Sequence, residues 1–165
     1  KYNPLLPGYY GDLEIKIFSP KPRVSASYKD NEHSLVSFLS YNGYKILLSG
    51  DNGPSSWQYL LNNHYFRDDL REVDIFLASH HGRRRGYYDQ IFKFFNPKLT
   101  IISDGRSQET SITDIYNSHT KGWWIQNQSK KRKCLTTRKD GVIYIKICYN
   151  SSNNRSIRVR TQYKY

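Results

Sequence analysis

Tyr44-Lys45-Ile46-Leu47-Leu48-Ser49-Gly50-Asp51 is a short apolar run that stops abruptly at a glycine and a carboxylate. The same pattern returns in Val73-Asp74-Ile75-Phe76-Leu77-Ala78-Ser79-His80-His81-Gly82, where the run stops at two imidazoles. Short continuous apolar runs closed by glycine read as buried strands with polar groups at their exits. If the two strands are neighbours, Asp51 and the pair His80 and His81 converge on one point. Carboxylate oxygen and imidazole nitrogen are the usual ligands of zinc or manganese, so the arrangement predicts a shared cation site. The plainer reading is a turn at Gly50-Asp51 and a polar loop at His80-His81-Gly82.

The flanking sequence supports strands at both runs. Asn42-Gly43 is a strong hairpin signal and joins a strand at 34–41 to one at 44–49, which delivers Asp51 to the exit of the second. Pro54 opens a helix with Trp57, Leu60 and Leu61 on one face. Before the hairpin, 13–18 alternates cleanly, with Leu13, Ile15 and Ile17 expected inward, and Ser19-Pro20 ends it. After the histidines come a helix at 87–95, a buried strand at 99–103 and a short helix at 111–119. Strands at 133–137 and 142–149 are expected as a hairpin through Lys139-Asp140-Gly141, followed by an alternating strand at 156–160. Residues 1–12 read as a linker remnant, 13–150 as the domain and 151–165 as a basic strand or tail. The whole is α/β: a mixed sheet with helices on its outer face, and an inner face that needs a second sheet.

At 165 residues the chain is one domain's worth. No apolar run approaches the ~20 residues of a membrane span, and Lys1-Tyr2-Asn3-Pro4 opens no signal peptide; a cytoplasmic location is expected. The absence of methionine predicts a cleaved or trimmed chain. Cys134 and Cys148 could face each other on adjacent strands; they read as reduced core residues and make no zinc knuckle. The net charge of +12 is uneven: residues 1–120 hold 14 Lys/Arg against 13 Asp/Glu, whereas residues 121–165 hold 12 against Asp140 alone. So one-sided a charge points to a polyanion, with nucleic acid first.

Taken in order, Asn31-x-x-Ser34-Leu35-Val36, Ile46 to Asp51, Val73-Asp74-Ile75 leading into His80-His81-Gly82, and Pro97-x-x-Thr100-Ile101-Ile102-Ser103-x-Gly105 resemble the C-terminal half of metallo-β-lactamase-fold hydrolases. The resemblance is greatest to the ComEC-like branch of DNA-uptake proteins and covers about residues 30 to 147. It implies half of an αββα sandwich and one or two divalent ions, zinc or manganese. Asp51 is implied as the catalytic, metal-holding carboxylate and His80 as a ligand, with His81 the less favoured choice. The family's main ligand motif, His-x-His-x-Asp-His, belongs to the N-terminal half of the fold and has no counterpart here. The other ligands are therefore expected from that half, in the same precursor or a companion chain, and this segment alone is not expected to be catalytic. His33, displaced from the family's ligand position, reads as a surface histidine.

Arg83, Arg84 and Arg85 follow the histidines directly and would hold phosphates at the mouth of such a site. Lys130, Lys131, Arg132 and the Arg158/Arg160 face would extend a phosphate track, and Trp123 or Trp124 could stack on bases. Joined to these basic residues, the resemblance implies a metal-dependent nuclease or phosphodiesterase acting on DNA or RNA. A nucleic-acid-binding module with a vestigial metal site is the first alternative. A lactone or lactam hydrolase of the same fold is the second, disfavoured because a neutral substrate needs no basic flank.

Overall fold

At Asn42-Gly43 the backbone passes through two consecutive left-handed conformations, φ 51° and 75°, the turn whose twist matches a β-hairpin. The hairpin expected there joins β2 (Val36–Tyr41) to β3 (Tyr44–Leu48). The computed structural model describes residues 11–20, 33–105, 110–149 and 155–162. Asn31 and nearly all of the 1–12 segment lie outside them.

β1 (Glu14–Phe18) pairs antiparallel with β2. Beyond β3 follow β4 (Ile75–Leu77), β5 (Leu99–Ile102) and, after two short intervening strands, β8 (Cys134–Thr136), each parallel to its neighbour. Together they form a six-stranded mixed sheet, ordered β1-β2-β3-β4-β5-β8. The intervening strands, β6 (Trp123–Ile125) and β7 (Lys130–Arg132), join β9 (Val142–Tyr149) and β10 (Arg155–Gln162) in a second sheet, ordered β7-β6-β10-β9. The chain is thus mixed α/β.

Strand alternation gives the first sheet two apolar faces. Phe18, Phe38, Leu47, Phe76 and Ile102 meet the helical layer of α1 (Pro54–Leu61), α2 (His64–Leu70) and α3 (Thr113–Ser118), where Trp57, Phe66 and Tyr116 are buried. On the opposite face Ile75, Leu99, Ile101 and Leu135 pack against Ile125, Ile157 and Val159 of the second sheet. Each such side chain taken out of water contributes about 1.5–3 kcal/mol. The inner face is covered unevenly: the apolar cluster between the sheets includes no residue of β1 or β2. Ile15 and Ile17 were expected inward, yet they remain 40% and 57% exposed, because β1 is the edge strand farthest from β8.

Other expectations are corrected. No hairpin forms through Lys139-Asp140-Gly141. The Thr136 hydroxyl accepts from the Lys139 N–H (3.1 Å), and 137–140 wind into a helical turn, α4 (Thr137–Asp140). β8 therefore ends in the first sheet while β9 starts in the second. This also separates Cys134 from Cys148, and both are free. The 87–95 helix contracts to a 3-10 segment, Asp89–Lys93. Helix α2 was not foreseen; its cap is Asn63, whose side chain accepts from the Tyr65 N–H (3.0 Å). The alternating strand expected at 156–160 does form, as Arg155–Gln162, and lies in the interior of the second sheet. Among the described residues no helix is long and apolar enough to cross a membrane.

Candidate metal and phosphate site

β3, β4, β5 and β8 run parallel, so their C-terminal ends open on one edge of the sheet. That edge is where open α/β sheets receive ligands. The loops leaving these strands carry Asp51, His80 and His81, Ser103 and Asp104, and Thr137.

The first two loops are tied together by Ser79, which is fully buried. Its hydroxyl lies 2.5 Å from the Asn52 carbonyl and 3.1 Å from that of Gly50, while the His80 N–H donates to Gly50 O (3.1 Å). Gly50 has φ +58°, and a Cβ there would come within 2.6 Å of Ser34 Cβ. Ser34 in turn accepts from the Asp51 N–H (3.1 Å). Asn52 Nδ2 donates to the carbonyls of Ser34 and Ser49, both at 2.9 Å, and its buried Oδ1 has no donor among the described residues.

His80 and His81 both occupy the left-handed region, φ 50° and 57°. Non-glycine residues rarely do so, and each costs on the order of 1–3 kcal/mol. The reversal splays the rings, whose centroids stand 6.4 Å apart at 88°. His81, the less favoured of the pair from sequence, is the one held beside Asp51: Nε2 to Oδ1 is 3.9 Å. Its Nδ1 lies 2.7 Å from the Ser103 carbonyl. A carbonyl only accepts, so Nδ1 carries hydrogen, and in the neutral ring Nε2 presents a lone pair towards the carboxylate. Both groups are partly open to solvent, and a cation placed between them would meet one donor from each. His80 is seated differently: a Cβ at Gly86 would lie 2.6 Å from His80 Cβ, so the chain crosses there without a side chain.

Oxygen and nitrogen donors suit zinc or manganese in kind. They fall short in number, because among the described residues no three of His, Cys, Asp and Glu stand together as a metal-holding group. His33 is half-buried rather than on the surface, and its buried Nδ1 has no hydrogen-bond partner among the described residues. His119 belongs to an aromatic cluster, stacked on Phe92 at 4.2 Å and 2.8 Å from the Tyr87 hydroxyl.

The basic residues divide into three groups. Arg83, Arg84 and Arg85 are exposed just past the histidine turn; Arg83 Nε donates to Thr110 Oγ1 (3.1 Å). Among the described residues no carboxylate pairs with any of the three. Arg132 is committed elsewhere, since its guanidinium spans both oxygens of buried Asp140 at 3.1 and 3.3 Å. It braces the fold instead of extending a phosphate track. Lys131, Arg158 and Arg160 lie on the outer face of the second sheet, turned away from the first, and Lys130 is exposed on edge strand β7. Trp123 faces inward under the Lys98 ammonium (5.3 Å), whereas Trp124 is 61% exposed.

Ser103, Ser79 and Asn52 are the supporting residues that sequence reasoning missed. Ser103 carried a usable signal, the same strand-exit position that singled out Asp51. Neither the family models nor the curated proteins compared with this chain gives a match.

Proposed function

We propose that this chain supplies part of the metal site of a metal-dependent phosphodiesterase of the metallo-β-lactamase fold, acting on DNA or RNA. The observation that carries the reading is the Asp51–His81 pair, with the imidazole oriented by Ser103. An outer hydrogen bond of this sort fixes the tautomer of metal-ligating histidines. Zinc or manganese is the ion expected, one or two per site, and when bound it supplies Lewis acidity towards a phosphoryl oxygen. The chain's own residues would then act in three ways. Asp51 and His81 hold charge and orientation at the strand exits. Ser79 keeps their loops in register. Arg83, Arg84 and Arg85 grip phosphates as they arrive. The remaining ligands are assigned to a segment bearing His-x-His-x-Asp-His, in the same precursor or a companion chain. The uncovered part of the inner face, with Ile15 and Ile17 exposed, supports such a partner.

The test is cleavage of a nucleic acid by the protein together with that segment, with Mn²⁺ or Zn²⁺ added. Asp51→Ala and His81→Ala should each lower the rate by at least about 100-fold while salt-dependent binding persists. Undiminished cleavage in both variants would sink the reading. Binding without metal uptake would favour the alternative, a nucleic-acid-binding module with a vestigial site; the incomplete donor set is the observation on its side.

A further inference from the structure

The second sheet has an outer face that the metal reading does not use. In β10, Ile157 and Val159 are buried against the first sheet and Thr161 is buried beside Asn127 and Gln128, while Arg158 and Arg160 are exposed on the other side. Register carries this across the sheet. Arg158 pairs with Lys146 and Arg160 with Tyr144 on β9. Val159 pairs with Ile125 in parallel, which sets Trp124 beside Arg158, and Trp124 pairs with Lys131 on β7. Lys131, Trp124, Arg158 and Lys146 therefore form one row across all four strands, about 14 Å long at the usual strand spacing. Arg160 and Tyr144 begin the next row, with the guanidinium carbon 4.5 Å from the ring centroid.

Among the described residues no carboxylate pairs with the cations of this face. None of the four strands contains an acidic residue, and the one acid after residue 120, Asp140, is buried against Arg132. Trp124 is 61% and Tyr144 38% exposed. An exposed indole between cations is a stacking platform of the kind that single-strand binders offer to bases. Cations interleaved with exposed rings match a chain that alternates phosphates with flat bases. Only a single strand offers both at once, because a duplex stacks its base faces away.

We propose that the outer face of the β7-β6-β10-β9 sheet binds single-stranded nucleic acid. Trp124 and Tyr144 stack on bases, and Lys131, Lys146, Arg158 and Arg160 contact phosphates. The inference shares with the proposed function only the polyanionic substrate. It uses another sheet and needs no metal, so the two fail separately: loss of Asp51-dependent cleavage leaves this face untouched, and loss of binding here leaves the metal pair intact.

The experiment is fluorescence anisotropy on the full chain in EDTA. The probes are labelled oligothymidine and oligouridine of about 20 nucleotides, beyond the span of common single-strand sites, a duplex of equal length, and phosphatidylserine vesicles. Either single strand should bind at least tenfold more tightly than the duplex, with a log–log salt slope of about −3 for four phosphate contacts. The comparison of the two strands tells DNA from RNA. Binding should quench tryptophan emission. Trp124→Ala with Tyr144→Ala should weaken it by about tenfold or more, and Arg158→Ser with Arg160→Ser should flatten the salt slope. Trp124→Phe retains a stacking face, so it should keep most of the affinity while losing the quench. Equal or tighter duplex binding, vesicle binding without oligonucleotide binding, absence of all binding, or indifference to the aromatic substitutions would each overturn the proposal.

Discussion

Asp140→Ala should be among the most damaging single changes outside the apolar cores. The side chain is 2% accessible and takes hydrogen bonds from Arg132 Nη1 (3.1 Å), Arg132 Nη2 (3.3 Å), the Thr136 N–H (2.9 Å) and Gln128 Nε2 (3.3 Å). Removing one partner of a buried ion pair costs about 3–5 kcal/mol. Arg132 is 28% accessible and regains some water, which argues for the lower end. The orphaned Thr136 N–H adds about 1 kcal/mol, for a total of roughly 4. With a urea m-value of about 2 kcal/mol/M the midpoint falls by about 2 M. The assay is urea unfolding followed by tryptophan emission, repeated in an Arg132→Met background. There Asp140→Ala should cost at least about 1 kcal/mol less, because the pair no longer exists to be broken. A midpoint shift below about 0.5 M in the first background, or strict additivity in the second, would refute the account of Arg132 as a brace.

Gly50→Ala places a Cβ at φ +58° against Ser34 Cβ and the Leu35 carbonyl; it should cost about 2 kcal/mol or more, lower Tm by roughly 6 °C in thermal unfolding, and disturb Asp51. Burial pushes the Cys134 thiol up to about 12 from an ordinary 9.0. Iodoacetamide at pH 8 followed by peptide mapping should therefore modify half-buried Cys148 and spare Cys134. The same group contributes stability that is complete below about pH 9 and declines as pH rises towards 12, because the native state then holds a proton the unfolded chain has released; Cys134→Ala should remove that part of an alkaline titration of stability. Ile17→Ser should change stability by less than about 0.5 kcal/mol while Phe38→Ala costs about 3–5, since one is exposed and the other fully buried; urea midpoints decide it.

The hairpin at Asn42-Gly43, the neighbouring strands before Asp51 and His80, and the basic C-terminal quarter were legible in the chain. Each rests on a local signal: a turn dipeptide, an unbroken apolar run, a charge count. Which of His80 and His81 stands beside Asp51 was not legible, because two consecutive left-handed residues reverse the ordinary alternation of neighbouring side chains. Strands β6 and β7 were missed for another reason. Trp123-Trp124-Ile125 and Lys130-Lys131-Arg132 carry no clean period of two, and their pairing is decided by β10, more than twenty residues on. The Lys139-Asp140-Gly141 turn looked like a hairpin because its composition suits one. A buried carboxylate needing Arg132, and Thr136 capping the turn, sent the chain between sheets instead.

The central position of β10 has a consequence for biosynthesis. The Trp123–Arg132 ribbon emerges from the ribosome early and can pair β6 with β7, yet the other edge of β6 has no neighbour until Arg155–Gln162 has followed it. β9 likewise waits for the same eight residues. The six-stranded layer, complete by Thr136, can condense beforehand with half its lining still wet. The cationic, ring-bearing side of the molecule is thus assembled last, so a nascent polypeptide would lack that face until this segment locks in.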